Sequence, residues 1–351
     1  MRLFLSALAL LLAACGDDAT RTDAAGAATE KPIAARQDAR DPAYSYSEAD
    51  LSAALSCDGF THPDRDPVLL VHGTFTHGRQ NWGATFAPIL RASGWDVCIM
   101  TYPDRGLVDI QRTTEFVAHA VYTMAAASGR KVALIGHSQG VMQVRWAVKW
   151  WPGVRERVSD LVSMAGPNQG ILLPTAPRDL LGVLGVTIAP FPGAFYQFAQ
   201  NSQFLRALNR DDETPGDIDY SVLYTQFDEL IQPVSPFPAG AIEFGQNNPK
   251  RTNVLLQDVC PGRLVEHISI ALADRLAYEL TLDALHHDGP ADVERSGGSA
   301  LCGLVSLVPE LQFPADAFSL FLNEVLLSEL EQPLPDFGIS AGEPPLMPYA
   351  Q

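Results

Sequence analysis

Short, unbroken apolar runs alternate with longer amphipathic stretches along this chain. Val68-Leu69-Leu70-Val71, Trp95 to Thr101, Val132 to Ile135, Leu161 to Met164, Ser221 to Thr225 and Asn253 to Val259 read as strands. Runs that stay apolar without alternating belong to strands covered on both faces, as in a parallel sheet. Between them Val108 to Ala127 and Gln139 to Trp151 carry a helical period, and Pro152-Gly153 stops the second. Strand and helix in turn predict an α/β fold with a mostly parallel, doubly wound sheet. Two apolar stretches, Ile171 to Phe204 and Gly303 to Pro348, break the alternation. Either they pack at the periphery of the sheet, or they form cap insertions that line an apolar pocket.

The first residues follow another pattern. Met1-Arg2 gives a short positive start, and Leu3 to Ala14 is almost unbroken apolar sequence. A bilayer-spanning helix needs about 20 such residues, so this run is too short and fits the core of a cleaved signal peptide. Leu12-Ala13-Ala14-Cys15 is similar to a bacterial lipoprotein signal, in which the cysteine is lipidated and becomes the new N-terminus. From Gly16 to about Ala43 the chain is Ala, Asp, Thr and Glu with almost no large apolar side chain. Such a stretch buries too little surface to offset its ordering entropy and is expected to be a flexible tether. The organisation expected is a signal peptide over 1–14, a tether over 15–43 and one folded domain over 44–351. Its place would be the cell envelope, anchored on the extracytoplasmic side or secreted, with the membrane as a partner through Cys15.

Charge and cysteine content narrow this further. The formal charge is −17 over 351 residues, and no basic stripe is present. Nucleic acid is thereby excluded as a partner, because phosphate binding rests on clustered Lys and Arg. Setting Cys15 aside leaves Cys57, Cys98, Cys260 and Cys302. An even set in an exported chain implies two disulfides, and three pairings are open. No His-Glu-x-x-His or Cys/His cluster occurs, so neither metal nor other cofactor is implied.

The chemistry centres on Gly136-His137-Ser138-Gln139-Gly140. It follows a predicted strand and opens a predicted helix, which is the context a G-x-S-x-G nucleophile turn requires in an α/β-hydrolase fold. The turn is strained, and side chains in place of its glycines would collide with the neighbouring strand and helix. It lifts the Ser138 hydroxyl to the top of the sheet, at a helix N-terminus whose partial positive charge favours an oxyanion. A serine needs a base, and the base an orienting acid, in the chain order Ser, acid, His. Of eight histidines, only His267, His286 and His287 stand late enough. The pair at 286–287 reads as a surface turn, whereas His267 follows the last predicted strand and precedes an apolar helix. For the acid, Asp228 follows the strand Ser221 to Thr225, with Glu229 as its neighbouring rival. Asp160 precedes its strand, and Asp211, Asp212, Asp217 and Asp219 belong to a polar loop. The oxyanion donors expected are the Gln139 N–H and Thr74, whose loop Val71-His72-Gly73-Thr74 ends the first strong strand. His72 comes before the serine and is expected to be loop structure.

These residues resemble the Candida-type lipase B family and its bacterial relatives, from about Cys57 to Tyr349. The segments that carry the resemblance are Leu70-Val71-His72-Gly73-Thr74, Ser138-Gln139-Gly140, Phe227-Asp228-Glu229-Leu230-Ile231-Gln232-Pro233, Val259-Cys260 and Leu346-Met347-Pro348-Tyr349-Ala350. The resemblance implies a serine ester hydrolase with Ser138, Asp228 and His267 as its triad, Thr74 and Gln139 as its oxyanion hole, and lipid or other esters as substrate. It also implies the pairings Cys57–Cys98 and Cys260–Cys302. The fungal members carry Trp before the nucleophile and Pro before the oxyanion-hole glycine, where this chain has His137 and His72. Two other functions compete with a lipase: a short-chain carboxylesterase or polyester depolymerase, and a lipid-binding envelope protein without turnover.

Overall fold

A computed structural model describes residues 37–171, 191–303, 308 and 337–351. The expected signal peptide, Cys15, most of the expected tether and most of both proposed cap stretches lie outside the described residues. Seven strands form one sheet: β1 (Leu55–Cys57), β2 (Val68–Val71), β3 (Val97–Met100), β4 (Val132–His137), β5 (Val158–Met164), β6 (Asp219–Tyr224) and β7 (Arg251–Leu255). Their order is β1-β3-β2-β4-β5-β6-β7. Only β1 runs antiparallel, pairing with β3; every other neighbour is parallel. A separate two-stranded ribbon joins Phe191–Pro192 to Ile339–Ser340.

Alternate residues of each strand enter two different cores. After two short helices, α1 (Glu48–Ala53) and α2 (Phe86–Ala92), come two long ones, α3 (Ile110–Ser128) and α4 (Gln139–Trp150), and Leu69, Val71, Cys98, Met100 and Leu134 share a core with their Phe116, Val121, Val144 and Trp146. Val68, Leu70, Val97, Ile99, Ile135 and Met164 face the other side, with Phe86, Leu90, Leu276 and Leu280. Both faces of β2 are therefore fully buried, which is why its sequence shows no alternation. The doubly wound α/β-hydrolase fold expected from the sequence is the fold observed.

The structure shifts several boundaries. β1 was absent from the expected strands, being three residues long with a mixed burial pattern. The stretch Asn253 to Val259 divides into the end of β7 and a one-turn helix, Leu256–Val259. Pro152 does not simply end a helix; it opens the short helix Pro152–Arg155, where its missing N–H costs nothing. Asp160 lies within β5 and Asp219 begins β6, rather than lying in flanking loops. Asp38 and Asp41, inside the stretch expected to be a tether, have specific partners in the folded domain. The Asp41 carboxylate accepts the Tyr122 hydroxyl at 2.6 Å and the Gly153 N–H at 2.8 Å, while the Asp38 N–H donates to the Tyr122 oxygen at 2.9 Å. Specific polar partners, rather than apolar burial, fix this segment.

Both implied disulfides are formed, Cys57–Cys98 and Cys260–Cys302. The first joins directly opposed residues of β1 and β3. No described helix is long and apolar enough to cross a membrane.

Candidate active site

β4 sits at the middle of the sheet and delivers Ser138 at its C-terminal end. Ser138 has φ 54° and ψ −125°, a backbone setting that non-glycine residues rarely adopt and that costs energy. The Ser138 N–H donates to the Met164 carbonyl at 2.9 Å, which holds the turn to β5. The two motif glycines are needed for space. A Cβ at Gly140 would come within 2.3 Å of the Val71 oxygen, and one at Gly136 within 2.7 Å of the Val141 nitrogen. These contacts let α4 start immediately beneath the serine.

Ser138, His267 and Asp228 come together from three loops at this edge. Ser138 Oγ lies 2.9 Å from His267 Nε2. His267 Nδ1 faces both carboxylate oxygens of Asp228, at 2.9 and 3.1 Å. A carboxylate can only accept, so Nδ1 carries the hydrogen and Nε2 offers its lone pair to the serine hydroxyl. Asp228 is itself held: its Oδ1 accepts the N–H groups of Leu230 at 2.9 Å and Ile231 at 2.7 Å. Asp228 and His267 are both buried. Glu229, the rival acid, does not reach the ring; its Oε2 accepts the His267 backbone N–H at 3.2 Å. His286 and His287 lie at the other end of the fold, at and just beyond the end of a helix, Arg275–His286.

The supporting residues were less visible in the sequence. The Thr225 hydroxyl, at the end of β6, donates to the Val265 carbonyl at 2.7 Å and accepts from Gln257 Nε2 at 2.8 Å. Gln257 also donates to the Arg263 carbonyl, so the acid loop and the histidine loop share one polar seam. Arg263, fully buried, pairs with Asp274 at 2.7 Å beneath the same loop. A buried Arg with a buried Asp eleven residues on has no motif that a single sequence would reveal.

Thr74 and Gln139 meet beside the nucleophile, where the Thr74 hydroxyl donates to Gln139 Oε1 at 2.6 Å. Gln139 is the first residue of α4, so its N–H belongs to the group that has no partner within the helix. Gly73 abuts the serine closely: a Cβ there would sit 3.0 Å from Ser138 Cβ. His72 is loop structure, as expected. It is fully buried, its Nδ1 donates to the Gly73 carbonyl at 2.8 Å, and its ring packs on Tyr102. Burial drops its pKa to about 3, so it stays neutral.

Among the described residues, no group of three or more His, Cys, Asp or Glu is arranged to hold a metal ion. The arrangement is that of a hydroxyl nucleophile, a neutral imidazole base and an orienting carboxylate.

A family model described as lipase (class 2) matches residues 65–236. Lipase B of Pseudozyma antarctica is 27% identical over 320 residues, covering 89% of this chain and 87% of its own. The crystal structure of Aspergillus fumigatus lipase B superposes with a TM-score of 0.73 at 25% identity, over 90% of this chain and 74% of that one.

Proposed function

We propose, on the premise that this chain is a lipase B-like α/β-hydrolase, that it hydrolyses carboxylic esters through an acyl-enzyme on Ser138. The observation that carries this is the continuous line from Ser138 Oγ through His267 to Asp228. His267 takes the hydroxyl proton as Ser138 attacks the ester carbonyl, and Asp228 stabilises the imidazolium that forms. His267 then returns the proton to the departing alcohol. Water, deprotonated by the same imidazole, cleaves the acyl-enzyme. The N–H groups of Gln139 and Thr74 serve the oxyanion, and each such donor contributes roughly 100- to 1,000-fold in rate.

Lipid-like esters are the favoured substrates. Phe75 on the oxyanion loop, Phe227 and Leu230 beside Asp228, and Leu264 and Ile268 beside His267 are all solvent-exposed. Apolar side chains gathered on the loops that carry the chemistry suit an acyl chain or a lipid surface. The test is hydrolysis of p-nitrophenyl esters from acetate to palmitate by the full chain and by Ser138→Ala. Turnover should fall by roughly a million-fold in the variant. A profile rising toward long chains supports a lipase, and one confined to acetate and butyrate supports a short-chain esterase. Equal activity in both proteins would sink the Ser138 assignment.

We further propose attachment to the cell envelope through lipidated Cys15. Support comes from the apolar run ending in Leu12-Ala13-Ala14-Cys15 and from two disulfides, which suit an oxidising compartment. Cys15→Ser should move the protein from the membrane to the soluble fraction; retention in the membrane would refute lipid anchoring.

A further inference from the structure

His267 is held at four points, and only two of them belong to the triad. Its backbone N–H donates to Glu229 at 3.2 Å, and its backbone carbonyl meets His137 Nε2 at 2.8 Å. Glu229 is exposed, so its grip is shared with solvent. His137 is not: it is buried, at the end of β4 and immediately before the nucleophile. Its ring lies 5.1 Å from the His267 ring, centroid to centroid. On its other side, Nδ1 sits 3.0 Å from Asn81 Oδ1. The same Asn81 oxygen accepts the Gly73 N–H at 3.1 Å. Gly73 in turn precedes Thr74 and abuts Ser138. One imidazole thus connects the base loop to the nucleophile strand and, through one amide, to the oxyanion loop.

The chemistry of the ring decides how it does so. Burial, and then the neighbouring His267, push the His137 pKa down to about 3, so the ring is neutral and carries one N–H. A backbone carbonyl cannot donate, so the 2.8 Å contact needs that hydrogen on Nε2. Nδ1, left without a hydrogen, lies beside Asn81 Oδ1 as a packing contact rather than a hydrogen bond, and that oxygen accepts the Gly73 N–H. Tautomer and ring orientation are fixed together, as is usual for a histidine that positions another group. The hydrogen bond acts on the peptide of His267 rather than on its ring, so it sets where the base stands and leaves its basicity to Asp228.

We infer that His137 is a positioning residue for acyl transfer: its Nε2–H fixes the His267 backbone and ties the base loop to the nucleophile strand, while Asn81, packed against the ring, holds the oxyanion loop through the Gly73 N–H. The inference rests on the acyl-enzyme reading given above. Misplacing a reacting group by about 1 Å can cost on the order of 100-fold in rate, so the effect should be visible in kcat.

The experiment is steady-state hydrolysis of p-nitrophenyl butyrate by the full chain and by His137→Leu, His137→Gln and Asn81→Ala. The rate of Ser138 labelling by a p-nitrophenyl phosphonate and the thermal midpoint are measured on the same samples. His137→Leu should lower kcat and the labelling rate together by about 10- to 100-fold, with KM within about two-fold. His137→Gln, whose amide N–H reaches a similar point, should recover most of that loss. Asn81→Ala should lower kcat by about 10-fold or less. If His137→Leu does not fold, the Gln and Ala variants decide alone: near-parental kcat for Gln with a loss for Ala supports the inference, and any other pairing overturns it. A folded His137→Leu with parental kcat, a loss carried by KM, or no recovery with Gln also overturns it while leaving the acyl-enzyme intact. A parent that neither turns over nor labels overturns both.

Discussion

The two edges of the central sheet both gather carboxylates and histidines, yet only one can do chemistry. At the C-terminal edge, Asp228 spends its oxygens on His267 and on two backbone N–H groups, and His267 passes the alignment to Ser138. At the N-terminal edge a cavity of about 340 Å³ is lined by Asp66, Asp160, Asp219, Arg130 and His286. There, burial and then the neighbouring charges of Asp219 and Asp66 push the Asp160 pKa up to about 7. A perturbed carboxylate in a cavity is a reasonable flag for function. Here it flags crowding. What separates the edges is neither volume nor pKa but a continuous chain of hydrogen bonds that runs from a held carboxylate through an imidazole to a hydroxyl.

Substitutions at matched positions would sharpen or break this contrast. Asp228→Asn keeps the shape but disturbs the tautomer of His267, and should lower kcat by about 10⁴-fold. Asp160→Asn should leave kcat unchanged in the same assay. Equal losses would mean that the lower edge takes part in the reaction. Arg263→Ala leaves Asp274 charged and buried, and should cost about 3–5 kcal/mol in denaturant unfolding. Changing Arg40, the exposed partner of Asp38 and Glu156, to Ala should leave the unfolding midpoint unchanged, because solvent screens both pairs.

The pH dependence separates the two edges by sign rather than by size. His72 and His137 have folded pKa values near 3, below the ordinary 6.5. Between those values the unfolded chain binds more protons, so stability is lost as pH falls from about 6.5 toward 3. Each group contributes a slope of about 1.4 kcal/mol per pH unit. Asp160 is raised from 3.8 to about 7, so the folded chain holds the extra proton and stability is lost as pH rises through that range. Asp160→Asn should therefore gain on the parent from about pH 4 to 7. A gain confined to acid pH would show that Asp160 is ionised in the folded protein.

Much of this was legible in the sequence, for identifiable reasons. The buried strands announce themselves because both faces are apolar, and Ser138 because its glycines answer a steric demand that few other sequences meet. Chain order, together with position after a strand, then pointed to His267 and to Asp228 with Glu229 as its rival. β1 escaped because three residues, none of them buried, are too few to show a period, and the end of β7 because Leu256–Val259 resembles a strand in sequence while folding as one helical turn. His137 was noticed only as a departure from the lipase B pattern. Its partner Asn81 lies 56 residues away and its acceptor is a main-chain oxygen, which sequence cannot display. The docking of Asp38 and Asp41 was hidden for the same reason: their partners, Tyr122 and Gly153, are distant and individually ordinary.

The triad's spacing along the chain has a kinetic consequence. Ser138 follows β4, whereas Asp228 follows β6 and His267 follows β7, 129 residues beyond the serine. Contacts so far apart close late, because loop entropy is spent before they reward it. On dilution from denaturant with disulfides intact, helical signal should return before esterase activity does. The lag between the two would time the docking of the last two strands, making the enzyme a reporter of its own assembly.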